Sequence, residues 1–338
     1  MSLLEKQLPR ILIVDDEPAN LKILRQILQD HYRLSFARSG MAALELLAKE
    51  PVDLVLLDIM MPGMTGFDVC QKMKASKTLD KVPVIFVTAL KDTIDEEHGF
   101  QLGAVDYITK PVIPSIVLAR VKAHLSLVQA DVLKATQVDL IQRLGRAAEY
   151  KDNETGMHVQ RMSRYSYVLA RAYGINEDVA VELQLAAQMH DLGKIAIPDN
   201  ILLKPGRLDT DEFRQMKAHA QIGADILSNP KSQLVALARS IAITHHEKWD
   251  GTGYPKGLSG TDIPIEGRIA AIADVFDALT SERPYKAAWS VEEAVALLEE
   301  QAGKHFDPTL VPLFIQELPK ILEIKAEFCE RIAGAQAL

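Results

Sequence analysis

Cysteine is nearly absent. Cys70 and Cys329 are the two in 338 residues, far apart and outside any CxxC pair. That removes a CxxC redox or metal motif and fits a cytoplasmic setting. Long apolar runs are missing too. No stretch approaches the roughly 18 apolar residues of a membrane span. The first apolar run, Ile11 to Val14, is four residues long and ends in acids, so no secretory h-region is read there. Positive charge is scarce: 38 Lys and Arg stand against 46 Asp and Glu, a formal net charge of -8. Sequence-independent DNA binding needs a basic field and is not expected. A small anionic ligand is still allowed, because a local pocket can oppose the global sign. Internal repeats and low-complexity tracts are absent as well. What remains is 48% apolar and 25% charged, the mix of an ordinary globular protein, at a length that suggests two domains.

The first ~115 residues alternate short apolar runs with amphipathic stretches. Residues 11–14, 54–57 and 84–87 read as buried strands, with weaker ones at 33–37 and 105–108. Helical spacing lies between them, as in Leu21, Leu24, Ile27, Leu28 and in Ala43, Leu44, Leu47. This alternation predicts an α/β, doubly wound, parallel five-stranded sheet, whose function gathers at the carboxyl ends of its strands. From Ile113 to Tyr150 there is no proline after Pro114 and no glycine before Gly145. Leu118, Val121, Leu125, Val128 and Val132 keep a three-four spacing, continued by Thr136, Leu140 and Leu144. Two readings are open: a long helix joining two domains and pairing with a second copy, or an amphipathic helix packed on its own domain. After Tyr150 strand signals fade and an all-α bundle is expected. The expected division is 1–125, a helical linker over 113–150, and 140–338. Ser290 with Glu293 fits a capping box, and Asp307-Pro308 an N-cap and N1 pair.

Acids gather at the predicted strand ends. Asp15 and Asp16 close the first strand, Asp58 the strand at 54–57, Thr88 the next, and Lys110 follows the last. In a parallel sheet these side chains converge at one edge. Three carboxylates there repel unless a cation such as Mg²⁺ sits among them. A carboxylate beside that cation is a nucleophile toward phosphorus, with Lys110 to pair with the phosphoryl charge and Thr88 to hydrogen-bond it.

A second ladder runs along the C-terminal half. Glu154 and His158 come first, then His190-Asp191, His219, His245-His246 and Asp274. Successive stops lie about 26 to 32 residues apart, about a helix plus a connection. Imidazole and carboxylate suit iron, manganese or zinc. The set exceeds what one tetrahedral ion takes up, which points to at least two metals and to hydrolysis. Adjacent histidines reach one site only at a helix end or distorted turn. His190-Asp191 can act as a terminal imidazole beside a bridging carboxylate. His31, His98, His124 and His305 carry no assigned role.

The N-terminal part resembles the receiver domain of two-component response regulators over residues ~9–125, through the paired acids, LLDIMMPGMTG, VTA and Lys110-Pro111. The resemblance implies a flavodoxin-like fold, Asp58 as the residue phosphorylated by a sensor histidine kinase, and Mg²⁺ held by Asp16, Asp58 and the Met60 carbonyl with Asp15 acting through water. It implies Thr88, Tyr107 and Lys110 as the switch and a cis bond at Lys110-Pro111. The rest, ~140–325, resembles the HD-GYP branch of the HD phosphohydrolases, through HDLGK, HHEKWDGTGYPKG, IADVFDALT and RPYK. Members of that branch hydrolyse cyclic di-GMP to pGpG or on to GMP.

By that resemblance one ion rests on His219, His245 and His246, another on His190 and Asp274 with His158 nearby, and Asp191 bridges them. Glu154 allows a third ion. Iron or manganese is favoured. Asp191 and Lys194 are the expected catalytic residues, and Lys194, Tyr254, Arg283 and Lys286 the expected substrate contacts. The resemblance also implies docking of GGDEF-type cyclases at the Gly253-Tyr254-Pro255 loop. Two rivals remain open at this point: a non-catalytic metal or nucleotide sensor that docks such partners, and an HD hydrolase acting on another nucleotide.

Overall fold

The computed structural model describes residues 8–89, 93–152, 157–282 and 287–328. The chain divides into two compact units at Lys134 and Ala135.

Unit 1 holds β1 (Arg10–Val14), α1 (Pro18–Leu28), β2 (Arg33–Ala37), α2 (Gly40–Lys49), β3 (Leu54–Leu57), α3 (Gly66–Lys74), β4 (Val84–Thr88), α4 (Thr93–Gln101) and β5 (Asp106–Thr109). All pairings are parallel and the strand order is β2-β1-β3-β4-β5. The central strands are apolar throughout because successive residues face opposite cores. Leu12, Val14, Val55, Leu57 and Phe86 pack toward α2 and α3, against Ala43, Leu47, Val69 and Met73. Ile11, Ile13, Leu54, Leu56, Ile85 and Val87 pack on the other face, against Leu24 and Leu28 of α1 and Val117, Val121 and Leu125 further on. Ser39 caps α2, and Thr65 with Asp68 forms a capping box at α3. Gly66 is required there: a β-carbon on it would stand 2.2 Å from the Asp58 carbonyl oxygen.

One unbroken helix, α5 (Pro114–Lys151), follows. The predicted seam along it is covered in its first half only. Val121 and Leu125 are buried, but Val132, Leu140 and Leu144 are exposed, and Ile141 and Ala148 are buried in their place.

Unit 2 is helical: α6 (Met157–Ala172), α7 (Glu177–Ala187), α8 (Asp199–Leu202), α9 (Thr210–Ile226), α10 (Gln233–Thr244), α11 (Ile265–Thr280), α12 (Val291–Glu300), α13 (Leu310–Gln316) and α14 (Leu318–Glu327). Its core centres on Phe276 of α11, which meets Tyr165 of α6 and Phe314 of α13 edge-on at 5.9 and 5.0 Å between ring centres. The capping box Ser290–Glu293 starts α12. Asp307 accepts from the Thr309 N–H, and its carbonyl takes the Val311 N–H one turn ahead of α13.

Candidate metal centre and phosphoacceptor site

Five separate elements bring the C-terminal ladder together. His158 lies on the first turn of α6, His219 on α9 and Asp274 on α11. His190 and Asp191 occupy the turn between α7 and a 3-10 turn at Leu192–Ala196. His245 is the C-cap of α10, so the adjacent His246 turns into the same space. Two groups result, each with its ligand atoms within 4.8 Å: Asp191, His219, His245, His246, and His158, His190, Asp274. Asp191 faces both. Its Oδ2 is 3.0 Å from His190 Nε2, while its Oδ1 is 3.3 Å from His219 Nε2 and 3.6 Å from His245 Nε2. His158 Nε2 is 3.4 Å from Asp274 Oδ1.

The protons of these rings are held on the far side. His190, His219 and His245 set Nδ1 against the carbonyls of Ala187, Met216 and Ile241, at 3.0, 2.7 and 3.0 Å. A carbonyl only accepts, so the proton sits on Nδ1 and the Nε2 lone pair points inward. All three Nε2 atoms, and Asp191 Oδ1, are buried without a hydrogen-bond partner. Buried polar atoms are rarely orphaned, and four aimed at one space fit divalent metal ions. Burial holds the His219 imidazolium down to a pKa of about 4 and pushes His246 well below its ordinary value. Both rings are therefore neutral at neutral pH. Lys194 Nζ lies 2.8 Å from Asp191 and 2.6 Å from Asp152. Tyr254 stacks on His246 at 4.7 Å between ring centres. Gly253 permits this turn of the loop, because a β-carbon there would meet the Lys248 nitrogen at 2.3 Å. Glu154, Arg283 and Lys286 lie outside the described residues.

At the sheet edge, Asp15, Asp16 and Asp58 also bring ligand atoms within 4.8 Å of one another. Lys110 Nζ donates to Asp15 Oδ2 and Asp58 Oδ2, both at 2.8 Å. Burial raises the Asp58 carboxyl above its ordinary pKa, against the lowering pull of Lys110 and the Met60 backbone N–H. Thr88 is buried at the end of β4. Tyr107 is buried between Phe86 and Phe100, with its hydroxyl 1.6 Å from where a β-carbon on Gly99 would stand. Lys110-Pro111 is cis, as is Tyr254-Pro255.

The response regulator receiver domain family matches residues 11–122, and the HD domain family matches residues 142–310. A Vibrio cholerae protein described as a probable cyclic di-GMP phosphodiesterase is 42% identical over 95% of this chain and 80% of its own length. The cyclic di-GMP phosphodiesterase response regulator RpfG of Xanthomonas campestris is 36% identical over 94% and 90%. The chain belongs to the HD-domain response regulators. A third relative, the 3'3'-cGAMP-specific phosphodiesterase 2 of Vibrio cholerae, is 47% identical over 57% of this chain and 37% of its own length.

In this HD-domain response regulator two acids beside the site carry more than their sequence positions suggested. Glu247, buried, accepts from the backbone N–H groups of Lys256 at 2.7 Å and Leu258 at 3.0 Å, and so shapes the loop that carries Tyr254. Asp277, also buried, accepts from His158 and Arg161. Burial opposes its ionisation, yet these two partners take its pKa down to about 2. Both acids stand inside the motifs quoted above, but a motif does not reveal that Asp277 has partners more than a hundred residues away. His305, which carried no role, stacks on Phe306 and takes the Trp249 N–H on its carbonyl, anchoring the same loop.

Proposed function

We propose that this protein is a cytoplasmic response regulator that hydrolyses cyclic di-GMP to pGpG, and on to GMP, under control of a phosphoryl group on Asp58. The observation that carries this reading is the Asp191 carboxylate set between the buried His190, His219 and His245, whose Nε2 atoms have no hydrogen-bond partner. His219, His245 and His246 would hold one divalent ion, and His158, His190 and Asp274 another, with Asp191 between them. The oxygen- and nitrogen-rich ligand set favours iron or manganese, and Glu154 is the residue for a third ion. Ions held by these residues would supply Lewis acidity toward a phosphodiester and a water-derived nucleophile near neutral pH. Lys194 meets a phosphate oxygen and assists the leaving oxygen, while Arg283 and Lys286 neutralise the remaining charge. Tyr254 walls the pocket where a guanine would stack. Its ring lies against His246, which supports the pocket role over a role in docking GGDEF-type partners.

At the sheet edge, Asp15, Asp16, Asp58 and the Met60 carbonyl would hold Mg²⁺ while a sensor histidine kinase phosphorylates Asp58, and Thr88, Tyr107 and Lys110 would respond. The end of α5 supports a route to the hydrolytic site. Lys151 Nζ donates to the carbonyls of Ile195 and Ile197, both at 2.6 Å, and Asp152 pairs with Lys194. A shift of this turn moves the HDLGK segment directly. In an assay of the metal-loaded protein, cyclic di-GMP is expected to show a higher kcat/KM than 3'3'-cGAMP or a nucleoside monophosphate. Preference for another nucleotide would overturn the substrate assignment. A phosphodonor mimic is expected to change the rate by roughly 5- to 150-fold, the range of ordinary coupling energies, and Asp58→Asn to abolish that response. An unaltered response in the variant would sink the control by Asp58.

The exposed Leu133, Leu140 and Leu144 follow one another at seven and four residues, which supports pairing of α5 with a second copy. Sedimentation of the full chain should report a dimer, and Leu133→Lys with Leu140→Lys a monomer. A monomeric wild type rules the pairing out.

A further inference from the structure

We infer that Asp277, clamped by Arg161, is a positioning residue that aims His158 at the second metal group. The inference rests on the metal-dependent reading above. His190, His219 and His245 lean on neutral backbone carbonyls, whereas His158 Nδ1 lies 2.9 Å from Asp277 Oδ2. A carboxylate fixes the tautomer with its proton on Nδ1, as a carbonyl does, but it also makes the opposite nitrogen a stronger donor to a metal. That nitrogen, His158 Nε2, faces Asp274.

The clamp is built by helix periodicity. His158 and Arg161 are three residues apart on α6, and Asp274 and Asp277 are three apart on α11, so each pair shares one face. Arg161 grips Asp277 with both arms of its fork: Nε to Oδ1 at 2.7 Å and Nη2 to Oδ2 at 2.9 Å. Two further donors are fixed as well, Nη2 on Ser281 Oγ at 2.9 Å and Nη1 on the Phe328 carbonyl at 3.0 Å. Asp277 is 0% exposed and Arg161 2%. A buried ion pair is a poor device for stability, because desolvation offsets most of its attraction. The fork instead fixes the carboxylate in one orientation, and that orientation decides where His158 points.

The test is metal stoichiometry and retention, with turnover measured alongside. Wild type is expected to carry about two or three ions per chain. Asp277→Asn is expected to weaken retention at the His158 group by 10- to 100-fold against a chelator, leaving the Asp191 group loaded, and to lower kcat more than it changes KM. Because this variant strands a buried arginine, the neutral pair Asp277→Asn with Arg161→Gln is measured with it. The pair is expected to fold, by circular dichroism and thermal unfolding, yet to show the same selective metal loss. Arg161→Lys, which keeps the carboxylate and a charge, is expected to retain more metal than either. Wild-type retention in the folded neutral pair would overturn the inference, and so would failure of that pair to fold, since the role would then be structural. A wild type that takes up no metal at all would instead strike the underlying reading.

Discussion

Asp191→Asn is expected to reduce turnover of cyclic di-GMP by at least about a thousandfold, equivalent to about 4 kcal/mol of lost transition-state stabilisation. Asp191 is one residue with two tasks. Oδ2 lies beside His190, and Oδ1 beside His219 and His245. Asparagine has nearly the same shape but one acceptor oxygen, and its amide presents protons where a cation should sit. Either group can then be served, not both, and the charge that offsets two divalent ions is gone. Lys194 keeps Asp152 as an anionic partner, so no cation is stranded. Loss of activity should therefore come with metal loss and with little change in thermal unfolding. A variant that kept both metals and wild-type turnover would refute the bridging role.

Gly193→Ala should be nearly as damaging, for a reason unrelated to ligands. A β-carbon at Gly193 would lie 1.9 Å from the His219 carbonyl oxygen and 2.6 Å from the Gly223 nitrogen. Both obstacles are backbone of α9, and neither can rotate away. The turn carrying Asp191 must lift off the helix carrying His219. Overpacking of this kind costs about 3 kcal/mol, or roughly 6–12 °C in Tm for a unit of this size, and separates Asp191 from His219. Gly223→Ala is the control: its β-carbon would meet the Ala242 side chain at 3.3 Å and Gly193 atoms at 3.3 and 3.7 Å, tight but tolerable. It should cost under about 1 kcal/mol and leave metal content intact. Equal Tm and metal content in the two variants would contradict this packing account.

The parallel sheet was legible because β1, β3 and β4 are covered on both faces and so run apolar without interruption. The edge strand β2, with Arg33 and Phe36 exposed, gave a fainter signal. The ladder could be read in order because each rung sits in its own short motif. Its geometry could not. That Asp191 faces two groups at once depends on where a turn and four helices meet, which no local spacing encodes. Spacing alone could not say what the seam of α5 packs on: Val121 and Leu125 join the core of the first unit, while Val132 and Leu140 are exposed. The Arg161–Asp277 clamp joins residues 116 positions apart, and in sequence it is an arginine and an aspartate like any others.

The most direct measurement takes metal content and turnover from the same anaerobically purified sample while ions are removed and restored. The expected result is about two or three ions per chain, with production of pGpG or GMP rising and falling with occupancy. Undiminished turnover after complete metal removal would contradict it. So would a fully loaded protein that binds cyclic di-GMP and leaves it intact.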